Sequence, residues 1–383
     1  MRLLSAWPRP AGDTGIMFTG PQVTHPLGRE EHWDRWCSEM KSMGAIWYKA
    51  LLDAGAGDFQ YRAIRRLMTE GFMVVVRLYR ERPNPGRMND ALWGVARECH
   101  KLGVRYFEVN NEPNLNVEWQ SNMPLMEEAA RVCATNWVID AEAIIAVGGY
   151  PAIPAMSPGG DIDDMWFLRV FLDEIKAKKR ILQDSWLAVH NYTLNHPLDY
   201  PDDPINRAEK PDGTIMDPGE SNGFRKFEAV FRLCKEVTGM ELPVISTEGG
   251  PVMDVGFSGD PRYPKIDTQF AHASVAQEIA WRMMHGKVPD YYLASCFWVL
   301  ANRLHENPAE GTFEAHAWYP YWDADGIEAV QVLKAMPKQA RPQTGAPEPP
   351  VIQPPDEIGV HPGHALYDYA QTHLMGRPLT DEF

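Results

Sequence analysis

The feature that most constrains this chain is an alternation. Apolar runs that read as buried strands are each followed by an amphipathic stretch that reads as a helix. The runs are "GIMFTG" (15–20), "AIWYKALL" (45–52), "FMVVVRLY" (72–79), "RYFEVNN" (105–111), "AIIAVGG" (143–149), "SWLAVHNY" (185–192), "PVISTEGG" (243–250) and "YYLASCFWVLAN" (291–302). Continuous runs of Val, Ile, Phe and Trp suit strands covered on both faces. Between them, "REEHWDRWCSEMKSMG" spaces Trp33, Trp36 and Met40 at helical intervals, and Gly44, Gly71 and Gly103 close the first three helix-like stretches. Further helices are expected over about 125–142, 164–179, 222–238, 268–286 and 327–335. Strands alternating with helices imply parallel βαβ units, and eight of them imply an α/β fold of the (β/α)8 TIM-barrel type. An open doubly wound sheet is the alternative, but no GxGxxG turn is present.

The expected division is a catalytic barrel over 1–336 and a C-terminal extension over 337–383. The extension begins with the proline-rich "PKQARPQTGAPEPPVIQPPDE", an extended strap. It ends in "HALYDYAQTHLMG", a short helix expected to pack on the barrel through Leu366, Tyr367, Tyr369 and Leu374. The chain has 383 residues and a formal net charge of −15. Such an acidic surface argues against nucleic-acid and anionic-membrane partners, which need a basic footprint. No apolar stretch reaches the ~18 residues of a membrane helix. The first residues lack the apolar core of a signal peptide. Five widely spaced cysteines, without a CxxC pair, read as reduced buried thiols. The expected location is therefore cytoplasmic, a removed leader aside.

Two of the runs end in a carboxylate. "RYFEVNNEP" delivers Glu112 and then stops at Pro113, which has no N–H for a ladder. "LPVISTEGG" delivers Glu248 before two glycines. On a barrel these positions are the carboxyl ends of strands four and seven, the end that carries barrel chemistry. Two facing carboxylates are what glycoside hydrolysis needs, one protonated to release the leaving oxygen and one ionised.

"FEVNNEP" and "VISTEGG" resemble the signatures of the clan A retaining glycoside hydrolases. The resemblance spans about 15–336. It implies a (β/α)8 barrel with Glu112 as acid/base, Glu248 as nucleophile and Asn111 on the sugar 2-hydroxyl. "VHNY" resembles the clan's His-x-Tyr and implies His190 and Tyr192 at the site, with Tyr192 bonded to the nucleophile. Trp298 in "CFWVLAN" resembles the aromatic floor under the sugar. Arg77 resembles the strand-three arginine that contacts the nucleophile; an ion pair with Glu108 is its alternative. Lys49 reads as a rim charge, with contact to a sugar hydroxyl as the alternative. Asn114, Asn116 and Trp119 are expected to line a plus-side subsite. In the 301–322 loop, Trp318, Tyr319 and Trp322 suit sugar stacking or simple loop packing.

The implied partner is a β-linked oligosaccharide, polysaccharide or glycoside, cleaved by double displacement with no cofactor and no metal. A transglycosylase using the same glutamates and a non-catalytic sugar-binding barrel remain open. A metal-dependent barrel hydrolase using His190, His196, His305, His316 and Asp254 is the remaining class, without HxH or HExxH spacing behind it.

Overall fold

The computed structural model describes residues 3–21, 26–80, 83–209, 222–253, 259–302, 316–320 and 323–342. Eight parallel strands close into one barrel in chain order. They are β1 (Ile16–Thr19), β2 (Trp47–Leu52), β3 (Met73–Leu78), β4 (Tyr106–Glu108), β5 (Tyr150–Ile153), β6 (Trp186–Tyr192), β7 (Val244–Gly250) and β8 (Tyr292–Phe297). The helices around them are α1 (Trp33–Met43), α2 (Asp58–Thr69), α3 (Asp90–Lys101), α4 (Met126–Ala146), α5 (Asp164–Ile175), α6 (Lys179–Leu182), α7 (Pro204–Glu209), α8 (Lys226–Thr238), α9 (Gln269–Met284) and α10 (Glu328–Ala335). The (β/α)8 expectation holds.

Local chemistry explains the helix limits. The Asn89 side chain caps α3 by accepting from Leu92 N at 3.0 Å, and Thr268 caps α9 by accepting from Ala271 N at 3.1 Å. Gly44 closes α1 at φ +83°, a conformation that costs glycine little. Every second strand residue points outward into a large apolar shell under the helices. The others fill the barrel with a smaller cluster around Met17, Trp47, Val75, Tyr106, Trp186 and Ile245. Tyr106 sits at its centre, its ring centroid 5.6 Å from Trp47 and 5.9 Å from Trp186. Trp7, from the segment before β1, closes the amino-terminal end of the barrel against Tyr106 and Tyr150.

One strand lies elsewhere than expected. Residues 143–146 finish the 21-residue helix α4, and β5 starts at Tyr150. The apolar "AIIA" is compatible with either state, because a short apolar run carries no distinguishing period. Ile144 is fully buried on the core side of α4. The true strand carries Pro151, which argued against it in the sequence. β5 nevertheless pairs on both sides, Tyr106 with Tyr150 and Ala152 with Trp186.

All five cysteines are buried and unpaired. Among the described residues no helix is long and apolar enough to cross a membrane. Of the extension, residues 337–342 run beneath the barrel. The Arg341 amide donates to Asp13 O, and its guanidinium donates to the carbonyls of Tyr292 and Pro289. The remainder of the strap and the C-terminal helix expected there lie outside the described residues.

The turn into β5 is packed without slack. A Cβ on Gly149 would stand 2.6 Å from Phe107 Cε2 and 2.9 Å from Ile144 Cγ2. Gly149→Ala is therefore expected to destabilise the protein by about 1–3 kcal/mol, read by chemical denaturation. A variant within error of wild type would contradict this packing.

Candidate active site

Above the aromatic layer the barrel interior turns polar. Period-two alternation carries Trp47 to Lys49 on β2, Val75 to Arg77 on β3, Tyr106 to Glu108 on β4 and Ala188 to His190 on β6. Lys49, Glu108 and His190 are fully buried. Buried charges persist only when paired, and these are. Lys49 Nζ lies 2.9 Å from Glu108 Oε2 and 3.1 Å from Glu248 Oε1. Thr247 Oγ1 donates to the other Glu108 oxygen at 2.9 Å.

Simple alternation would not place Glu248 here. Ile245 faces the barrel interior, so Thr247 should follow it inward and Glu248 should point out. The β6–β7 pairing shifts register: Val189 stands opposite Ser246, and His190 opposite Glu248. Thr247 is thus an extra residue, and both Thr247 and Glu248 reach the interior. Such bulges re-aim side chains beside active sites. Asn191 and Ser246 hold this one from behind. Ser246 Oγ donates to Asn191 Oδ1 at 2.6 Å, and Asn191 Nδ2 donates to Phe224 O at 2.9 Å.

Glu248 is surrounded by donors. Beyond Lys49, its Oε1 lies 3.5 Å from Arg77 Nη1 and 3.7 Å from His190 Nε2. Tyr192 donates to its Oε2 at 3.2 Å. Burial alone would raise the carboxyl pKa. The charges of His190, Lys49 and Arg77 outweigh it and hold Glu248 down at about 2. Lys49 is pushed the other way: burial disfavours its charge, but Glu108 and Glu248 prevail and raise its pKa. Burial, then Glu248 and Glu112, push the Tyr192 hydroxyl well above its ordinary range.

Glu112 approaches from the opposite wall. Asn111 bridges to Ala155 beyond the end of β4, and Glu112 then adopts φ +40°. This left-handed conformation is unfavourable for a residue with a Cβ, and such strain gathers at functional sites. It turns the Glu112 side chain toward β6, where Oε1 lies 2.7 Å from His190 Nδ1. One imidazole therefore bonds Glu112 through Nδ1 and stands within ion-pair distance of Glu248 through Nε2. Burial would lower the His190 pKa, yet Glu248, Glu112 and the hydrogen bond to Glu112 raise it. The Glu112 side chain keeps 18% exposure, so the mouth stays open beside it. Asn111 Nδ2 donates to Glu118 Oε1 at 3.1 Å, while its buried Oδ1 has no hydrogen-bond partner among the described residues. Trp298 follows β8, half-buried, its ring 6.5 Å from Tyr192 and edge-on at 75°.

The expected residues thus separate into two groups. Glu112, Glu248, Arg77, His190, Tyr192 and Trp298 share the mouth, with Asn111 beside Glu112. Lys49 is no rim charge but the buried bridge between Glu108 and Glu248, and Arg77 reaches Glu248 instead of pairing with Glu108. Asn114 is fully buried and spends its amide on the β5 loop: Nδ2 donates to Ser157 O and Ile162 O, and Oδ1 accepts from Ser157 N. Asn116 Oδ1 accepts from Met123 N at 3.4 Å within its own loop. Trp119 is buried and donates to Pro113 O at 2.8 Å. Trp318 has no exposure, with Phe18 and Phe297 rings 4.8 Å away. Tyr319 is likewise buried and donates to Glu39. Asn114, Trp119, Trp318 and Tyr319 are thus buried as loop anchors instead of lining subsites, while Asn116 stays half-buried in its own loop. Trp322, His305 and Asp254 lie outside the described residues. Among the described residues no group of three His, Cys, Asp or Glu side chains is placed to hold a metal ion.

Thr247 was not anticipated from sequence, nor was the part Glu108 plays with Lys49. The signal was available in the alternation, since Trp47 and Tyr106 each put the residue two places on into the same interior.

No protein-family model and no curated protein sequence matches the chain. Solved structures do. A family 39 glycoside hydrolase from Bacteroides cellulosilyticus WH2 superposes with TM-score 0.51 at 12% identity, over 85% of this chain and 64% of that one. A glucosidase from Croceicoccus marinus gives TM-score 0.51 at 12% identity, over 85% and 68%. The chain spans less than two thirds of the family 39 enzyme. What it shares with these glycoside hydrolases is the barrel fold.

The depressed Glu248 pKa makes a stability prediction. Its unfolded value is near ~4.3, so its ionisation adds stability that is present above that pH and lost as pH falls toward the folded value of about 2. Glu248→Gln lacks this dependence. The stability gap between wild type and variant, measured by denaturant titration, should shift in the variant's favour as pH falls from 6 to 3. A gap constant over that range would contradict the charge cage.

Proposed function

We propose that the chain is a retaining glycoside hydrolase cleaving β-glycosidic bonds, with Glu248 as nucleophile and Glu112 as acid/base. The observation that carries this reading is His190 bonded to Glu112 and within ion-pair distance of Glu248 at the carboxyl end of the barrel. Retaining enzymes keep their carboxyl pair ~5–5.5 Å apart and inverting enzymes ~6.5–9.5 Å. The anomer released first decides which class this pair belongs to. The glycoside hydrolases that share the fold support the substrate class.

In the first step Glu248 Oε2 forms a bond to the anomeric carbon as the bond to the leaving oxygen breaks. The proton held between Glu112 and His190 passes through Glu112 to that oxygen. In the second step a water attacks the same carbon, gives its proton to Glu112, and releases Glu248. The charges of the buried layer suit this cycle. Lys49 and Arg77 balance Glu108 and Glu248, while Glu112 and His190 share one proton. Once Glu248 is esterified its negative charge is gone. With the shared proton already given to the leaving oxygen, Glu112 is left as the carboxylate that accepts a proton from the water. Tyr192 orients Oε2, Trp298 offers an apolar face for the sugar, and the unpartnered Asn111 Oδ1 accepts from a hydroxyl next to the reacting carbon. Ring faces and a few fixed acceptors are how such sites orient a sugar. No metal or cofactor enters this chemistry.

Two substitutions separate the roles. Glu248→Gln is expected to lose on the order of 10³-fold or more in turnover with near-UV circular dichroism unchanged. Glu112→Ala is expected to lose ~10²–10⁴-fold on alkyl or sugar leaving groups, and far less in the first step on dinitrophenyl glycosides, which need no proton. Equal losses by Glu112→Ala on both substrate types would remove it as the acid.

A further inference from the structure

The interior holds a charged pair that the two-carboxylate reaction does not itself require. Lys49 and Glu108 are both fully buried, 2.9 Å apart, on adjacent sides of the same layer as Glu248. A buried ion pair is a poor device for stability, since apolar residues of similar size serve as well. Its geometry suggests another use. Lys49 Nζ has two carboxylate neighbours, and the nearer Glu108 is fixed from its far side by Thr247. The ammonium is thus anchored by one carboxylate and presented to the other. It meets Glu248 at Oε1, the oxygen also facing Arg77 and His190, whereas Oε2 meets only the Tyr192 hydroxyl among the described residues.

We propose that Lys49 is a positioning residue for the hydrolytic reaction: it holds Glu248 ionised and occupies its Oε1, so that Oε2 is the reacting atom, with Glu108 as the counter-charge that keeps Lys49 in place. This role rests on the hydrolase reading above. The groups around Glu248 are Lys49 from β2, Arg77 from β3, Glu108 and Glu112 from β4 and its end, His190 and Tyr192 from β6, and Cys296 from β8. Lys49 is the nearest cation, at 3.1 Å, and the only one of them anchored by a second buried carboxylate. Arg77 and His190 stand farther off, so loss of Lys49 weakens the cage without abolishing it.

The test follows the Glu248 carboxyl itself. Glutamate labelled with 13C at Cδ gives one resonance per side chain, and Glu248→Gln assigns the one in question. Lys49→Met alone strands Glu108 as an unpaired buried charge and endangers folding. Lys49→Met/Glu108→Gln removes both charges and keeps an acceptor for Thr247. In the double variant the Glu248 resonance should titrate above wild type, because losing the ammonium at contact raises the carboxyl more than losing the Glu108 charge lowers it. The acid limb of kcat/KM on an activated aryl β-glycoside should move up with it. An unchanged Glu248 titration in the folded double variant would overturn the proposal. So would a shifted titration with an unmoved acid limb. A shifted titration in a protein whose wild type turns over no glycoside would instead overturn the hydrolase reading, and Lys49's part in any reaction with it.

Discussion

Lys49, held between Glu108 and Glu248 inside the barrel, is the contact on which the rest of the site depends. An ammonium with no exposure is tolerated only when its charge is matched, and here the match comes from strands on different sides of the barrel. β2 supplies the cation, and β4 and β7 supply the carboxylates. Removing one member of such a buried set strands its partners, at a cost of roughly 3–5 kcal/mol. The pairs therefore tie the register of distant strands to the charge state of the mouth. The aromatic layer beneath, built on Tyr106 and Trp47, excludes water from the same contact and keeps it strong.

Both candidate catalytic carboxylates sit where regular structure breaks. Glu248 faces inward because Thr247 is an extra residue in β7, and Glu112 faces β6 because its backbone turns at φ +40°. A regular strand would have sent one of two consecutive residues outward in each case. The cost of the irregularity is met locally. Ser246 and Asn191 brace the bulge, the Glu112 amide donates to Ala155 O at 3.0 Å, and the Asn114 amide ties the next loop to Ser157 and Ile162. Residues that resemble substrate contacts in sequence are thereby seen as the supports of the two that matter most.

Most of the barrel was legible because its strands are apolar on both faces and its helices carry caps and closing glycines. β5 was not, because the strand is four residues long and contains Pro151, while the end of α4 carries the apolar run that imitates it. Within the site, Glu112, Glu248, His190 and Tyr192 were legible as polar residues at strand ends. Lys49 and Glu108 were underread, since a charge in an apolar strand looks like a rim residue until its alternation with Trp47 or Tyr106 is followed into the interior. Asn114, Trp119 and Trp318 were overread for the opposite reason. Loop polarity and aromaticity do not reveal whether a side chain is spent on its own backbone, and only the fold brings Pro113, Ser157 or Phe18 beside them.

The central claim is that Glu248 attacks the anomeric carbon and Glu112 serves both halves of the reaction. The most direct measurement is a proton NMR time course of the anomeric signals during turnover of β-linked glycosides and oligosaccharides, begun before mutarotation blurs them. The account predicts that the β-anomer appears first with wild type and that Glu248→Ala releases none. First appearance of the α-anomer would mean a single displacement by water, and would contradict Glu248 as the nucleophile.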